Sequence, residues 1–359
     1  MENNVENIVL QKSKRDARYE LIRVLSIMLV LLVHVNSSYT NQDSFFVSGS
    51  VIREFISATF LCCNGLFFIL SGKFALNFDE TKSSYRDYYF KKLVYLLLPM
   101  LLYMAIETLA YTIIDSTGDF AESLFHNVTS RFTHKHYWFL FTIMFDLMVA
   151  PVFAKAFRNM PDKIMLIFFA LGIIHLTFFS FGPLISGWFA YESPFSNFHF
   201  HFFLGGIIDR VINYFGKKRL IVIGLICFIL LRVQVMKLGY ADFIYDFSPF
   251  YLFFVLATWI IFCEIYNLIG QKSDKVILFL GKYSFPVYLI HYMLLAALTS
   301  EKWKSMFTDY PFYILITFVC LFAISLLSSV IIDKLFLQHV QKGLNWGYKK
   351  LRNQARQNG

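Results

Sequence analysis

Charge is scarce in this chain. Asp, Glu, Lys and Arg make up 16% of the residues against 57% apolar and 19% aromatic, too little polarity to cover a solvated surface. Proline is scarce too: 8 residues beside 43 Phe exclude collagenous and disordered classes. Cysteine is limited to Cys62, Cys63, Cys227, Cys263 and Cys320, all inside apolar runs and without a C-x-x-C pair. Neither a disulfide scaffold nor a zinc ribbon is written here, and the cysteines carry no signal of redox compartment. By length alone 359 residues would make two or three soluble domains, but a mean hydropathy of +0.55 points to a bilayer instead.

What the chain has in abundance is long apolar runs. Residues 1–18 are polar and carry Lys12, Lys14, Arg15 and Arg18; an apolar stretch then begins near Tyr19 with no small-residue cleavage site, which reads as an uncleaved span. A helix needs about 20 residues to cross about 30 Å of hydrocarbon. Runs near 19–38, 55–76, 93–114, 137–157, 164–181, 198–215, 219–238, 248–269, 281–299 and 311–333 approach or meet that length. They predict an all-α polytopic membrane bundle of about ten transmembrane helices, a single membrane domain over 19–333 between an N-terminal tail (1–18) and a basic C-terminal tail (334–359). With the N-terminus inside, 25 of the 33 Lys and Arg fall on cytoplasmic segments and 7 outside, Arg23 lying within the first span. That asymmetry predicts cytoplasmic termini, and anionic headgroups explain the net charge of +9 without nucleic acid. The segments 182–197 and 232–247 are themselves partly apolar and leave room for a re-entrant piece. No internal repeat is visible, and the C-terminal tail is too short for a domain of its own.

Ionisable groups at membrane depth cost at least about 2.5–3.5 kcal/mol at a helix centre, so each is a candidate functional residue. Arg23 and His34 form the sharpest pair. Eleven residues at 100° each bring them within about 20° of one face, about 16 Å apart along the axis. The alternative is a snorkelling arginine below a structurally bonded histidine. Glu107, Asp146, His175, Glu264 and His291 complete the set, and for each a purely structural pairing is the competing account. His134 with His136 and His199 with His201 invite a metal, but residues two apart on a helix point to different faces, so no metal is expected. Asn64 and Ser71 sit beside Gly65 and Gly72, a packing pattern. Tyr39, Tyr137, Trp138, Trp188 and Trp303 lie near span ends as an interfacial belt, and Asn127-Val128-Thr129 is a glycosylation triplet that matters only in a secretory-pathway organism.

Tyr19-Glu20-Leu21-Ile22-Arg23-Val24-Leu25-Ser26, running into Leu31-Leu32-Val33-His34, resembles the opening helix of the acyltransferase-3 family, in which a basic residue and a histidine are separated by ten positions. Four more blocks follow in the family's order. They are Gly65-Leu66-Phe67-Phe68-Ile69-Leu70-Ser71-Gly72, Tyr89-Phe90-Lys91-Lys92 before Pro99, His136-Tyr137-Trp138-Phe139-Leu140 up to Pro151, and Gly281-Lys282-Tyr283-Ser284-Phe285-Pro286-Val287-Tyr288-Leu289-Ile290-His291. The likeness spans about residues 15–333, and its weight lies in the order of the blocks. One departure stands out: Tyr95 occupies a place where relatives often carry a second arginine.

The resemblance implies an O-acyltransferase, commonly an O-acetyltransferase, that moves an acyl group from cytoplasmic acyl-CoA to a hydroxyl of a cell-envelope polysaccharide or its lipid-linked precursor. Acyl-CoA is then a cosubstrate, with no resident cofactor. The partners are a carbohydrate acceptor and the bilayer; a homo-oligomer or polysaccharide-synthesis proteins are compatible with it. A bacterial cytoplasmic membrane is the implied location. Some relatives add an esterase-like domain, for which this chain shows no Ser-centred elbow. On this reading Arg23, Lys91 and Lys92, with Ser71 beside them, hold the donor phosphates. His34 is the general base or a transient acyl carrier, Glu107 or Asp146 orients it, and His291 polarises the carbonyl or contacts the acceptor. His136 and Trp138 line the carbohydrate's approach. A polytopic transporter or flippase would also bury charges but would not consume acyl-CoA; a scaffold or sensor subunit would tolerate loss of His34. A membrane-bound O-acyltransferase of the other large family should lack the Arg23 to His34 spacing.

Overall fold

Backbone N–H and C=O groups find no partners in hydrocarbon, so apolar runs of this length must satisfy them internally. The computed structural model describes residues 15–38, 50–115, 119–129, 136–185, 198–238, 248–307 and 313–357, and every regular element among them is helical. In chain order these are α1 (Ala17–Ser38), α2 (Ser50–Ala75), α3 (Tyr85–Lys92), α4 (Leu98–Asp115), α5 (Phe120–Thr129), α6 (Trp138–Arg158), α7 (Asp162–Ile185) and α8 (His199–Gly205). After them come α9 (Ile208–Phe215), α10 (Lys217–Leu238), α11 (Pro249–Ile269), α12 (Asp274–Leu298), α13 (Glu301–Phe307), α14 (Tyr313–Ile332) and α15 (Gln338–Gln357). Two π-helical turns, Leu93–Leu97 and Asp333–Leu337, join α3 to α4 and α14 to α15.

All ten predicted runs fall on described helices, and six helical stretches among the described residues are long and apolar enough to cross a membrane. The outer surface agrees. On α7 the exposed Ile164, Ile167, Leu171, Ile174 and Phe178 recur at alternating intervals of three and four, an apolar stripe with no protein against it. On α10 Val222, Leu225, Ile226, Ile229 and Val233 are exposed likewise. Lipid solvates such faces at no cost, and water does not. The protein is a multi-pass membrane protein.

At the centre stands α1, which packs against α2, α11, α12 and α14. A close backbone approach lies between α2 and α8. A Cβ added to Gly72 would sit 1.7 Å from the Phe202 carbonyl oxygen, and one on Gly205 would sit 2.2 Å from that of Ile69. Only glycine lets two helices touch main chain to main chain in this way.

One expectation needs correction. The run at 198–215 is not one helix but α8 and α9, of 7 and 8 residues, parted at Gly206-Ile207. The α8 backbone is committed to its crossing with α2, and the Gly205-Gly206 pair that permits the crossing resists helix continuation. From residue 334 onward, the C-terminal tail is helical: α14 runs through the second π turn into the 20-residue α15, docked on α3. Asn127, the acceptor of the glycosylation triplet, is buried and its amide donates to Thr108 Oγ1 at 2.9 Å. Tyr39, His134 and Trp188, with Lys12, Lys14, Arg131 and Lys135, lie outside the described residues.

Gly72→Ala should lower the thermal stability of detergent-purified protein by about 1–3 kcal/mol or more, since the contact is with backbone that cannot rotate away. Gly343→Ala on α15, where an added Cβ meets nothing within 4 Å, should leave it unchanged or raise it by about 0.5–1 kcal/mol. Equal melting temperatures for Gly72→Ala and wild type would contradict the backbone crossing.

Candidate active site

Residues three apart on a helix are neighbours, so Glu20 stands beside Arg23 on α1. Arg23 Nη1 donates to both Glu20 carboxylate oxygens, at 2.8 and 2.7 Å. The carboxylate is nearly buried, and it fits only because α12 carries glycine opposite: a Cβ on Gly281 would lie 2.3 Å from Glu20 Oε2. This pair fixes the half-buried guanidinium on the wall of a cavity of about 410 Å³. From α3 come Lys91 and Lys92, from α2 Ser71, and from the first π turn Tyr95 and Leu96. The four residues expected to hold a donor, Arg23, Lys91, Lys92 and Ser71, thus line one space.

Local bonds explain how α3 presents its lysines. Ser84 Oγ caps the helix by accepting from the Asp87 amide at 3.1 Å. The Tyr88 and Tyr89 hydroxyls donate to the Leu147 and Met148 carbonyls of α6, both at 2.8 Å, and Lys92 Nζ lies 5.2 Å from the Tyr88 ring centroid. The loop leading into α3 is tied down as well. Arg158 pairs with Asp79 at 3.1 Å, and the Thr81 hydroxyl and amide, ahead of Arg158, hold the Asp79 carboxyl below its ordinary range.

Phe139 and Tyr288 also line the cavity, their ring centroids 5.6 Å apart. The Tyr288 hydroxyl donates to the His136 carbonyl, and its ring centroid lies 5.6 Å from that of His291. Here three histidines gather about Tyr292. His34 is 5.2 Å from His291 and 5.5 Å from Tyr292, while His136 is 5.4 Å from His291 and stacks on Tyr292 at 5.0 Å, all between ring centroids. His291 is fully buried, with Nδ1 2.6 Å from the Tyr288 carbonyl oxygen. A carbonyl only accepts, so Nδ1 carries the hydrogen and Nε2 of the neutral ring keeps its lone pair. His34 is only partly buried. The two helical positions expected to share one space do not: Arg23 lines the cavity and His34 does not. Between them on α1 lie the buried Ile27, Val30 and Leu31, and of the rings that line the cavity Tyr288 packs against His136 and His291.

The expected carboxylate partners of His34 are turned elsewhere. Asp146, buried on α6, meets His199 Nδ1 of α8 at 2.6 Å, and Glu107 is buried on α4 near Tyr137, whose hydroxyl donates to the Leu289 carbonyl at 3.4 Å. Trp138 packs at 5.9 Å on Phe198, and Glu264 pairs with Lys217 at 2.6 Å; neither they nor His175 line the cavity. The α8 histidines diverge, His199 toward Asp146 and His201 onto Tyr251 at 5.5 Å. Sequence reasoning missed Glu20, although its three-residue spacing from Arg23 was legible, and it missed Tyr292, which nothing but adjacency to His291 marks.

A family model described as an acyltransferase domain matches residues 16–333. No curated protein and no solved structure shows a significant match.

Glu20→Gln keeps the shape of the side chain and removes the charge that holds Arg23. Stability should fall by about 1–3 kcal/mol, the usual loss for a hydrogen bond between charged groups. It is read from the thermal midpoint in detergent, and an unmoved midpoint would mean that the pair contributes nothing.

Proposed function

Because the chain belongs to the acyltransferase-3 family, we propose that it is a membrane O-acyltransferase that moves an acyl group, acetyl in our reading, from cytoplasmic acyl-CoA to a hydroxyl of an extracytoplasmic polysaccharide or its lipid-linked precursor. The observation that carries this reading is the cavity in which Arg23, Lys91 and Lys92 converge, lined also by Tyr288, whose ring packs against His136 and His291. Coenzyme A is a polyphosphate on a long thin arm. Three cations suit the phosphates, and an apolar pocket suits the arm. We place this mouth at the cytoplasm in a ten-span bundle with both termini inside, a topology supported by the Lys and Arg asymmetry and by the helices on which nine of the ten runs fall singly.

In the reaction, His34 takes the proton of the acceptor hydroxyl. The oxygen attacks the thioester carbonyl, the C–S bond breaks, and the proton passes from His34 to the departing thiolate, giving ester and free coenzyme A. His291, whose ring lies 5.2 Å from that of His34 between centroids and is itself held by the Tyr288 carbonyl, takes by packing the orienting role first assigned to a carboxylate. His136 and Tyr292 form the stacked platform for the sugar, with Trp138 at its edge. For thioester and imidazole to meet, the Tyr288 or Phe139 ring swings aside, a gating step of the kind that keeps water from a reactive intermediate.

His34→Ala should lower acyl transfer by about 100-fold or more, the usual worth of a general base. Arg23→Ala, Lys91→Ala and Lys92→Ala should chiefly raise KM for acyl-CoA. Both are measured with labelled acetyl-CoA on purified, well-expressed protein. Undiminished transfer by His34→Ala would sink the scheme.

A further inference from the structure

The family match ends at residue 333, where the second π turn begins, so α15 lies beyond it. Beyond its root it meets α3 and the first π turn, the elements that give the cavity Tyr88, Lys91, Lys92, Tyr95 and Leu96. At its root, Asp333 Oδ2 accepts from Lys282 Nζ at 2.7 Å and from Gln338 Nε2 at 2.6 Å, beside the Gly281 that receives Glu20. At mid-length, Gln341 Nε2 donates to the Val94 carbonyl at 3.2 Å and Asn345 Nδ2 to the Tyr95 hydroxyl at 3.0 Å. Val94 and Tyr95 belong to the π turn, and Tyr95 lines the cavity. Toward its end, the Tyr348 ring stacks on Phe90 at 3.9 Å, its hydroxyl donates to Asp87 Oδ1 at 2.7 Å, and Arg352 Nη1 meets both Asp87 oxygens at 3.2 and 3.0 Å.

Asp87 is one helical turn before Lys91, the spacing at which a carboxylate captures a lysine. Here Tyr348 and Arg352 occupy that carboxylate from the other side. We infer that α15 is the positioning element of the donor site: it holds α3 against the cavity and engages Asp87, so that Lys91 and Lys92 face the donor phosphates instead of a neighbour. The inference rests on the donor-site reading above. Tyr348 and Arg352 are positioning residues and touch no substrate.

The test is coenzyme A binding by calorimetry on full-length protein in detergent, paired with steady-state transfer from acetyl-CoA. Tyr348→Phe, which loses no charge, and Arg352→Gln should each weaken coenzyme A binding about five- to tenfold and raise KM for acetyl-CoA in parallel, with kcat at saturating donor retained. Lys349→Gln removes the same charge from an exposed place on α15 and should change binding less than about twofold. Wild-type protein that binds no coenzyme A, or binding indifferent to Lys91→Ala and Lys92→Ala, removes the donor-site reading and this inference with it. Binding that needs those lysines yet is unchanged in Tyr348→Phe and Arg352→Gln overturns the inference alone. So does a fall in kcat with KM unmoved, the mark of general structural damage.

Discussion

The contact between Glu20, Arg23 and Gly281 sets the position of nearly everything else. A guanidinium within an apolar bundle is tolerated when a counter-charge meets it at hydrogen-bonding distance, and the Glu20 carboxylate does so with both oxygens. That carboxylate in turn needs the bare Cα of Gly281. One ion pair therefore fixes the register of α1 on α12, and with it two sets of residues: those that face the cavity and those that gather around Tyr292. Because α1 also packs against α2, α11 and α14, a shift in that register would be felt across the bundle.

The arrangement has two parts, a cavity lined by cations and a cluster of histidines about Tyr292, and the Tyr288 ring lies against both. The cavity walls come from α1, α2, α3, α6 and α12 with the first π turn, and the cluster from α1, α12 and the residue two before α6. In the transfer proposed above, such an arrangement keeps water from the donor.

Much of this was legible in the sequence, for physical reasons. Run length alone gives a helix wherever lipid removes water as a hydrogen-bond partner, which is why the ten runs fall on helices. Arg23, Lys91, Lys92 and Ser71 reach one cavity, and His34, His136 and His291 reach one cluster, because residues too costly to expose to lipid must all turn inward. What stayed hidden depends on pairing across helices. Asp146 meets His199, and Glu107 lies near Tyr137, through crossings that no periodicity encodes. The break between α8 and α9 arises from backbone contact with α2, and the run's hydropathy gives no hint of it. The place of Tyr288 is equally invisible: it looks like an ordinary core residue until its neighbours are known.

Tyr288 serves two histidines through two different parts of itself. Its hydroxyl is latched to the main chain of His136, while its own carbonyl, locked in the α12 backbone, sets the hydrogen on His291. A rotation about the side chain undoes the latch and costs one hydrogen bond, worth about 0.5–1.5 kcal/mol net. The backbone half does not turn with it. The ring motion proposed for transfer would therefore leave the Nδ1 hydrogen of His291 where it is, since the group that holds it belongs to the main chain.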